Sequence, residues 1–79
     1  MNNIKPVSSL DCSGHLCPVP IHMTETKIKE LSGGQILEVI FTDPGAKPDL
    51  QMWCRVNRHD FLEYRKEKAK HFLYIKKTG

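Results

Sequence analysis

The segment Cys17-Pro18-Val19-Pro20 constrains the fold more than any other, because its two prolines limit where a helix can begin. Proline has no N–H to donate, so it is tolerated in the first turn of a helix and disrupts later turns. Pro18 is therefore predicted at the first helical position, with Pro20 in the same turn. The predicted helix covers residues 18–31 and carries a stripe at spacings of three and four, formed by Ile21, Thr24, Ile28 and Leu31.

Cys17 lies at the join between this helix and the preceding loop. Unpaired N–H groups and the helix dipole favour negative charge at such a position. The thiol is therefore expected to ionise more easily than a free cysteine, and the thiolate is the reactive form. Gly14 predicts a tight turn that exposes the thiol. The alternative is a cysteine that only packs in the core.

The rest of the chain predicts three more strands and one more helix after a first strand at residues 7–12. Residues 35–42 alternate, with Leu37, Val39 and Phe41 on one face. Pro48 is expected to open a second helix whose inner stripe is Leu50, Trp53, Cys54 and Asn57. Residues 60–66 and 70–77 read as a hairpin. The order βαβαββ predicts a two-layer α/β (α+β) sandwich in which two helices pack on a four-stranded mixed sheet.

The phase of the last two strands stays open from the sequence. In one phase Leu62, Tyr64, Leu73 and Ile75 face the helices. Phe61, Phe72 and Tyr74 then lie on the open face beside Ile36 and Ile40, which would form a docking surface. In the other phase those aromatic residues belong to the core.

Length and composition indicate one small domain over residues 1–79, with a loose tail at residues 1–5. The 79 residues include 27% charged side chains and carry a net charge of +3, which is too mild for a dedicated nucleic-acid binder. No apolar run approaches the roughly 20 residues of a membrane helix, and the N-terminus lacks the blocks of a signal peptide. Three cysteines form no evident disulfide framework, so a cytoplasmic protein with reduced thiols is expected.

The chain resembles the TusA family of sulfur-carrier proteins, also described as SirA-like sulfurtransferases. In that family a Cys-Pro-x-Pro (CPxP) motif follows an Asp-x-x-Gly turn, matched here by Asp11, Gly14, Cys17, Pro18 and Pro20. The match continues through Lys27, Asp43-Pro44-Gly45, Asp49, Trp53-Cys54, His59 and Ile75-Lys76-Lys77. The resemblance implies the fold derived above, with both helices on one face of the sheet.

The resemblance also implies sulfurtransferase activity centred on Cys17. This residue would accept sulfane sulfur from a donor such as a cysteine desulfurase, carry it as a persulfide, and pass it to an acceptor protein by thiol exchange. No resident cofactor or metal is implied. The usual destination in the family is 2-thiouridine in tRNA, while relatives serve molybdenum-cofactor maturation and oxidative sulfur metabolism. A small carrier with one exposed thiol is expected to be a monomer.

Several other residues have open roles at this stage. Cys12 either provides a second thiol or packs at a strand end, and Cys54 is interpreted as core. His15 either stabilises the thiolate or is simply exposed in the turn. His59 is expected to cap or pack a helix end, while His22 and His71 are interpreted as surface residues. Lys27 serves either partner contact or an intrahelical ion pair.

Two further hypotheses compete with sulfur relay. A zinc module would use Cys12, Cys17, Cys54 and His59, although Cys54 and His59 are five residues apart and would not share a helix face. A regulatory or interaction domain would use the apolar sheet face. It would also use the basic residues of the hairpin, whose alternative role is to keep an exposed edge soluble: Arg65, Lys66, Lys68, Lys70, Lys76 and Lys77.

Overall fold

A computed structural model describes residues 5–78 and confirms the predicted order of elements. All of the predicted tail except Lys5 lies outside the described residues. The elements are β1 (Ser8–Asp11), α1 (Val19–Ile28), β2 (Ile36–Phe41), α2 (Ala46–Val56), β3 (Asp60–Glu67) and β4 (Lys70–Lys76).

The four strands form one mixed sheet in the order β1-β2-β4-β3. β1 runs parallel to β2, which confirms that α1 connects parallel neighbours, and β4 pairs antiparallel with both β2 and β3. β1 and β3 are therefore the edge strands. Because β1 and β2 are parallel neighbours, the loops that follow them leave the sheet at the same end of the strands.

Both helices cover one face of this sheet, as predicted. Leu37, Val39 and Phe41 of β2 are fully buried on that face, and Leu73 and Ile75 of β4 lie beside them. The helices complete a single core with Pro20, Thr24 and Ile28 from α1 and Ala46, Leu50 and Cys54 from α2. Burying one large apolar side chain contributes about 1.5–3 kcal/mol to stability. Cys54 lies inside this core and is a packing residue, as expected.

The helix α1 is shorter than predicted at both ends. Pro18 is its N-cap, with φ −98° and ψ 16°, so the helix begins at Val19 and Pro20 is the second helical residue. At the other end, Glu30 N–H and Leu31 N–H donate to carbonyls three residues back. These tighter bonds satisfy the end of the helix and close it at Ile28.

The helix α2 begins at Ala46 rather than at Pro48, which is its third residue. The position costs little, because N–H groups of the first turn have no intrahelical acceptor. Asn57 is exposed and does not belong to the inner stripe. Its side-chain amide donates to the Trp53 carbonyl over 2.9 Å and terminates the helix.

A bulge in β3 decides the phase of the hairpin. The pairing with β4 shifts between Phe61 and Glu63, so Leu62 is the extra residue and is 38% exposed. Phe61 and Tyr64 both pack against the core, although simple alternation would place them on opposite faces. An inserted residue changes the facing of the strand in this way. The phase that put Leu62 inside and Phe61 outside is therefore wrong at those two positions.

The open face of the sheet carries polar groups above its apolar residues. The Tyr74 hydroxyl donates to Glu38 Oε2 over 2.6 Å, and Ser9 Oγ donates to the other carboxylate oxygen over 2.8 Å. The Arg65 guanidinium lies 4.4 Å from the Phe72 ring centroid. Phe72 and Tyr74 thus lie on this face as one phase predicted, but the face is not a bare apolar patch.

Candidate functional site

Two loops meet at the end of strands β1 and β2 and form the surroundings of Cys17. The loop after β1 is tied to the loop after β2 by Gly14 N–H, which donates to Thr42 Oγ1 over 2.9 Å. Gly14 has φ +82°, a left-handed conformation that favours glycine and confirms the predicted turn. Asp11 accepts a hydrogen bond from Ser13 N–H over 2.9 Å and starts this turn.

Asp43 holds the backbone of Cys17. Its Oδ2 accepts from Cys17 N–H over 2.8 Å, while its Oδ1 accepts from Gly45 N–H over 3.0 Å. These two bonds favour the ionised carboxylate and lower the pKa of Asp43. Asp43 therefore positions Cys17 and at the same time places a negative charge beside it.

Asp49 holds the thiol itself. The Cys17 thiol donates to Asp49 Oδ2, across 32 residues of sequence. This hydrogen bond, desolvation, and the charges of Asp49 and Asp43 raise the pKa of Cys17 to about 11. The expectation that the thiol ionises easily is therefore wrong for the free protein. Cys17 precedes the helix by two residues, and carboxylates, not free helical N–H groups, contact it.

Cys17 is nevertheless accessible, unlike the other two cysteines. It is partly exposed, and its neighbours Leu16 and Val19 are 72% and 40% exposed. Cys12 and Cys54 are buried, and burial raises their thiol pKa values to about 11 and 12. Cys12 forms part of the core, as its packing interpretation expected, and all three thiols are free.

His15 lies exposed in the turn and its charge acts on Asp11 rather than on Cys17. Its predicted alternatives were stabilisation of the thiolate and simple exposure. The structure favours exposure. Pro18 and Pro20 carry the chain from Cys17 into α1, and Pro20 is buried.

His71, predicted as a surface residue, is buried. It is only 4% exposed, its ring stacks on Phe41 at 4.9 Å, and its Nδ1 shares a 2.6 Å hydrogen bond with the Tyr64 hydroxyl. Burial lowers the pKa of His71, with a smaller opposing effect from Asp43. The signal was available, because His71 shares the alternation of Leu73 and Ile75 on β4.

The other polar residues singled out from the sequence make local contacts or lie exposed. Lys27 pairs with Glu30, three residues further along the chain, at 3.3 Å, which is close to the second of its two predicted roles although Glu30 lies just beyond the end of α1. His59 packs against the Trp53 ring at a centroid distance of 5.2 Å, and His22 is exposed, as predicted. In the hairpin, Arg65 pairs with Glu67.

A shallow groove beside β1, about 400 Å³ in volume, is lined by Leu10, His22, Met23, Thr26, Lys27 and Glu30.

The zinc hypothesis receives no support from the arrangement of side chains. Within residues 5–78, no group of three or more histidine, cysteine or acidic side chains could hold a metal ion. Two of the four hypothetical ligands, Cys12 and Cys54, are core residues.

The described part of the chain contains no helix long and apolar enough to cross a membrane.

Comparison with known proteins gives a consistent result. The family model described as sulfurtransferase TusA matches residues 8–77. The sulfur carrier protein TusA of Pseudomonas putida is 32% identical over 79 residues, which cover 100% of this chain and 99% of that protein. A relative from Aquifex aeolicus is 40% identical over 79 residues, but this chain spans only 40% of its length.

A solved structure confirms the fold. The crystal structure of a SirA-like protein from Desulfitobacterium hafniense superposes with a TM-score of 0.80. The alignment covers 91% of this chain and 99% of that one, at 20% sequence identity. At this identity the likeness supports the two-layer architecture alone.

Proposed function

Because this chain belongs to the sulfurtransferase TusA family of sulfur carriers, we propose that Cys17 carries the sulfur as a persulfide. One observation carries the assignment: of the three cysteines, only Cys17 is not buried. Sulfur exchange needs a sulfur atom that another protein can reach, and the thiols of Cys12 and Cys54 are enclosed in the core.

The proposed reaction is an exchange at sulfur that needs no metal or resident cofactor. The Cys17 Sγ attacks the terminal sulfur of a donor persulfide, and a new sulfur–sulfur bond forms as the donor's bond breaks. The donor sulfur leaves as a thiolate and takes up the proton that Cys17 releases. The transferred atom keeps its oxidation state, so the step requires no external oxidant. Delivery to an acceptor thiol repeats the same exchange.

A sulfur carrier requires a protein that loads it and a protein that unloads it. The proposal assigns loading to a cysteine desulfurase or a similar persulfide donor, and unloading to a relay protein such as one serving tRNA 2-thiouridine synthesis. It places the relay in the cytoplasm, where thiols remain reduced. Gly14, Pro18 and Pro20 position the thiol, because the turn and the helix start on either side of Cys17 depend on them.

The proposal is tested by loading the protein and weighing it. Incubation with a cysteine desulfurase and cysteine is expected to add the mass of one sulfur atom, and peptide mapping is expected to place it on Cys17. Reduction should remove it. Cys17→Ser should accept no sulfur, whereas Cys54→Ala, which removes a buried thiol, should load like the wild type. Loading of Cys17→Ser would overturn the assignment.

A further inference from the structure

The surroundings of Cys17 have the opposite charge to the protein as a whole. The chain carries a net charge of +3, yet the side chains that contact Cys17 through hydrogen bonds are the carboxylates of Asp43 and Asp49. Asp43 lies in the loop before α2, and Asp49 lies in the first turn of that helix. His15, the nearest basic residue in sequence, is exposed and its charge acts on Asp11.

This arrangement keeps the thiol in its unreactive form. A carboxylate that accepts a hydrogen bond from the thiol stabilises the neutral, protonated sulfur. A second carboxylate close by disfavours the thiolate through charge repulsion. Asp43 is tied down by two backbone N–H groups. Asp49 is exposed, and the thiol is the partner of its Oδ2. Asp49 is therefore the carboxylate that an incoming molecule can reach.

Building on the sulfur-carrier function proposed above, we propose that Asp49, assisted by Asp43, selects donors and acceptors whose reacting sulfur lies beside a positively charged group. The incoming cation pairs with Asp49 and takes the place of the thiol as its partner. The thiol then loses the acceptor that held its proton, while the cation favours the thiolate. A donor without such a group would meet a protonated thiol and two repelling carboxylates.

The activated step balances without any further reagent. With a disulfide R–S–S–R as the probe, Cys17 Sγ forms a bond to one sulfur and the R–S–S–R bond breaks. Cys17 is oxidised to the mixed disulfide and the probe is reduced to one thiol. That thiol leaves as RS⁻ and takes up the proton from Cys17.

Small symmetrical disulfides of different charge test the proposal without a natural partner. Cystamine carries two ammonium groups, hydroxyethyl disulfide is neutral, and dithiodiglycolate carries two carboxylates. Their leaving thiols differ in acidity, so each rate is compared between protein variants rather than between probes. The variants are the wild type, Asp49→Asn, the conservative Asp49→Glu, and Glu25→Gln, which removes one exposed negative charge from α1. Mixed-disulfide formation at Cys17 is followed by intact mass.

The expected result is a loss of charge selectivity in Asp49→Asn. Its cystamine rate, divided by its hydroxyethyl disulfide rate, should fall about fivefold, the factor for two unit charges about 4 Å apart in water. The ratio for dithiodiglycolate should rise. Asp49→Glu and Glu25→Gln should keep the wild-type ratios, and 1 M salt should reduce the wild-type selectivity because the Debye length is then about 3 Å.

An unchanged cystamine ratio in folded Asp49→Asn would overturn the proposal, as would equal losses in Asp49→Asn and Glu25→Gln. Circular dichroism and a thermal melt confirm folding, which is expected because Asp49 is exposed. These outcomes are separate from the sulfur-loading assay. If Cys17 loads sulfur but shows no charge selectivity, this inference fails alone; if it does not load, the carrier function fails.

Discussion

Replacing Asp49 by asparagine should make Cys17 more reactive at neutral pH. The hydrogen bond from the thiol to Asp49 is the largest contribution that raises the pKa of Cys17 to about 11, and the charge of the same carboxylate adds to it. Asparagine keeps nearly the same shape but removes the charge. The thiolate is therefore less disfavoured, and its pKa should move from about 11 towards the ordinary value of 9.0.

The size of the effect follows from two opposing factors. With a pKa of about 11, only about one Cys17 in ten thousand is a thiolate at pH 7. A full return to 9.0 would raise that fraction about 100-fold. Each thiolate would become less nucleophilic, with a Brønsted coefficient of about 0.4–0.5, which removes nearly tenfold. The net gain at pH 7 is at most about tenfold, and Asp43 and desolvation, which remain, reduce it.

The measurement is the rate of alkylation by iodoacetamide between pH 6 and pH 10.5, with modification at Cys17 quantified by peptide mass. The wild-type rate should still be rising at the top of this range, whereas the Asp49→Asn rate should begin to level off. The buried thiols of Cys12 and Cys54 should react far more slowly. Glu25→Gln controls for the loss of one negative charge at an exposed position.

A slower reaction of Asp49→Asn at pH 7 would refute this reasoning. It would mean that Asp49 assists ionisation as a base instead of holding the thiol proton. An equal acceleration in Glu25→Gln would also refute it, because the effect would then come from overall charge and not from contact with the thiol.

Two further predictions concern the fold that supports the site. Leu50→Ala should cost about 2–5 kcal/mol of unfolding free energy, because Leu50 is fully buried. Met52→Ala, on the same helix but 55% exposed, should change it by less than about 0.5 kcal/mol, and urea midpoints compare the two. Burial lowers the pKa of His71 from 6.5, so the unfolded chain binds this proton more readily, and stability is lost as pH falls below 6.5. His71→Phe should therefore show a weaker fall in urea midpoint between pH 7.5 and pH 5, and an unchanged fall would contradict this assignment.

Local sequence predicted the parts of the fold that depend on backbone restrictions and short periods. The prolines at positions 18 and 20 placed the start of α1 to within one residue, because proline tolerates only the first turn. Alternation identified Leu37, Val39 and Phe41 as core, since successive residues of a strand face opposite sides. The glycine turn and the helix start on either side of Cys17, together with the family resemblance, made it the candidate carrier residue.

Simple alternation failed where the chain departs from a regular period. The bulge between Phe61 and Glu63 inserts one residue, and no property of that short segment marks which residue is extra. His71 was missed for a different reason. Its alternation with Leu73 and Ile75 indicated the inner face, but a polar ring that can carry a charge was assigned to the surface. Phe41 and Tyr64 provide the ring stack and hydrogen bond that make its burial favourable.

The chemical state of Cys17 was decided by tertiary structure alone. From the sequence, the thiol has only a helix start beside it, which favours the thiolate. Folding brings Asp43 and Asp49 to it from 26 and 32 residues away. The loop after β1 and the loop after β2, which leads into the first turn of α2, leave the sheet at the same end because β1 and β2 are parallel. The order of residues therefore singles out Cys17 as the candidate sulfur. Only the folded chain determines that its proton is held, because electrostatic effects depend on distance in space.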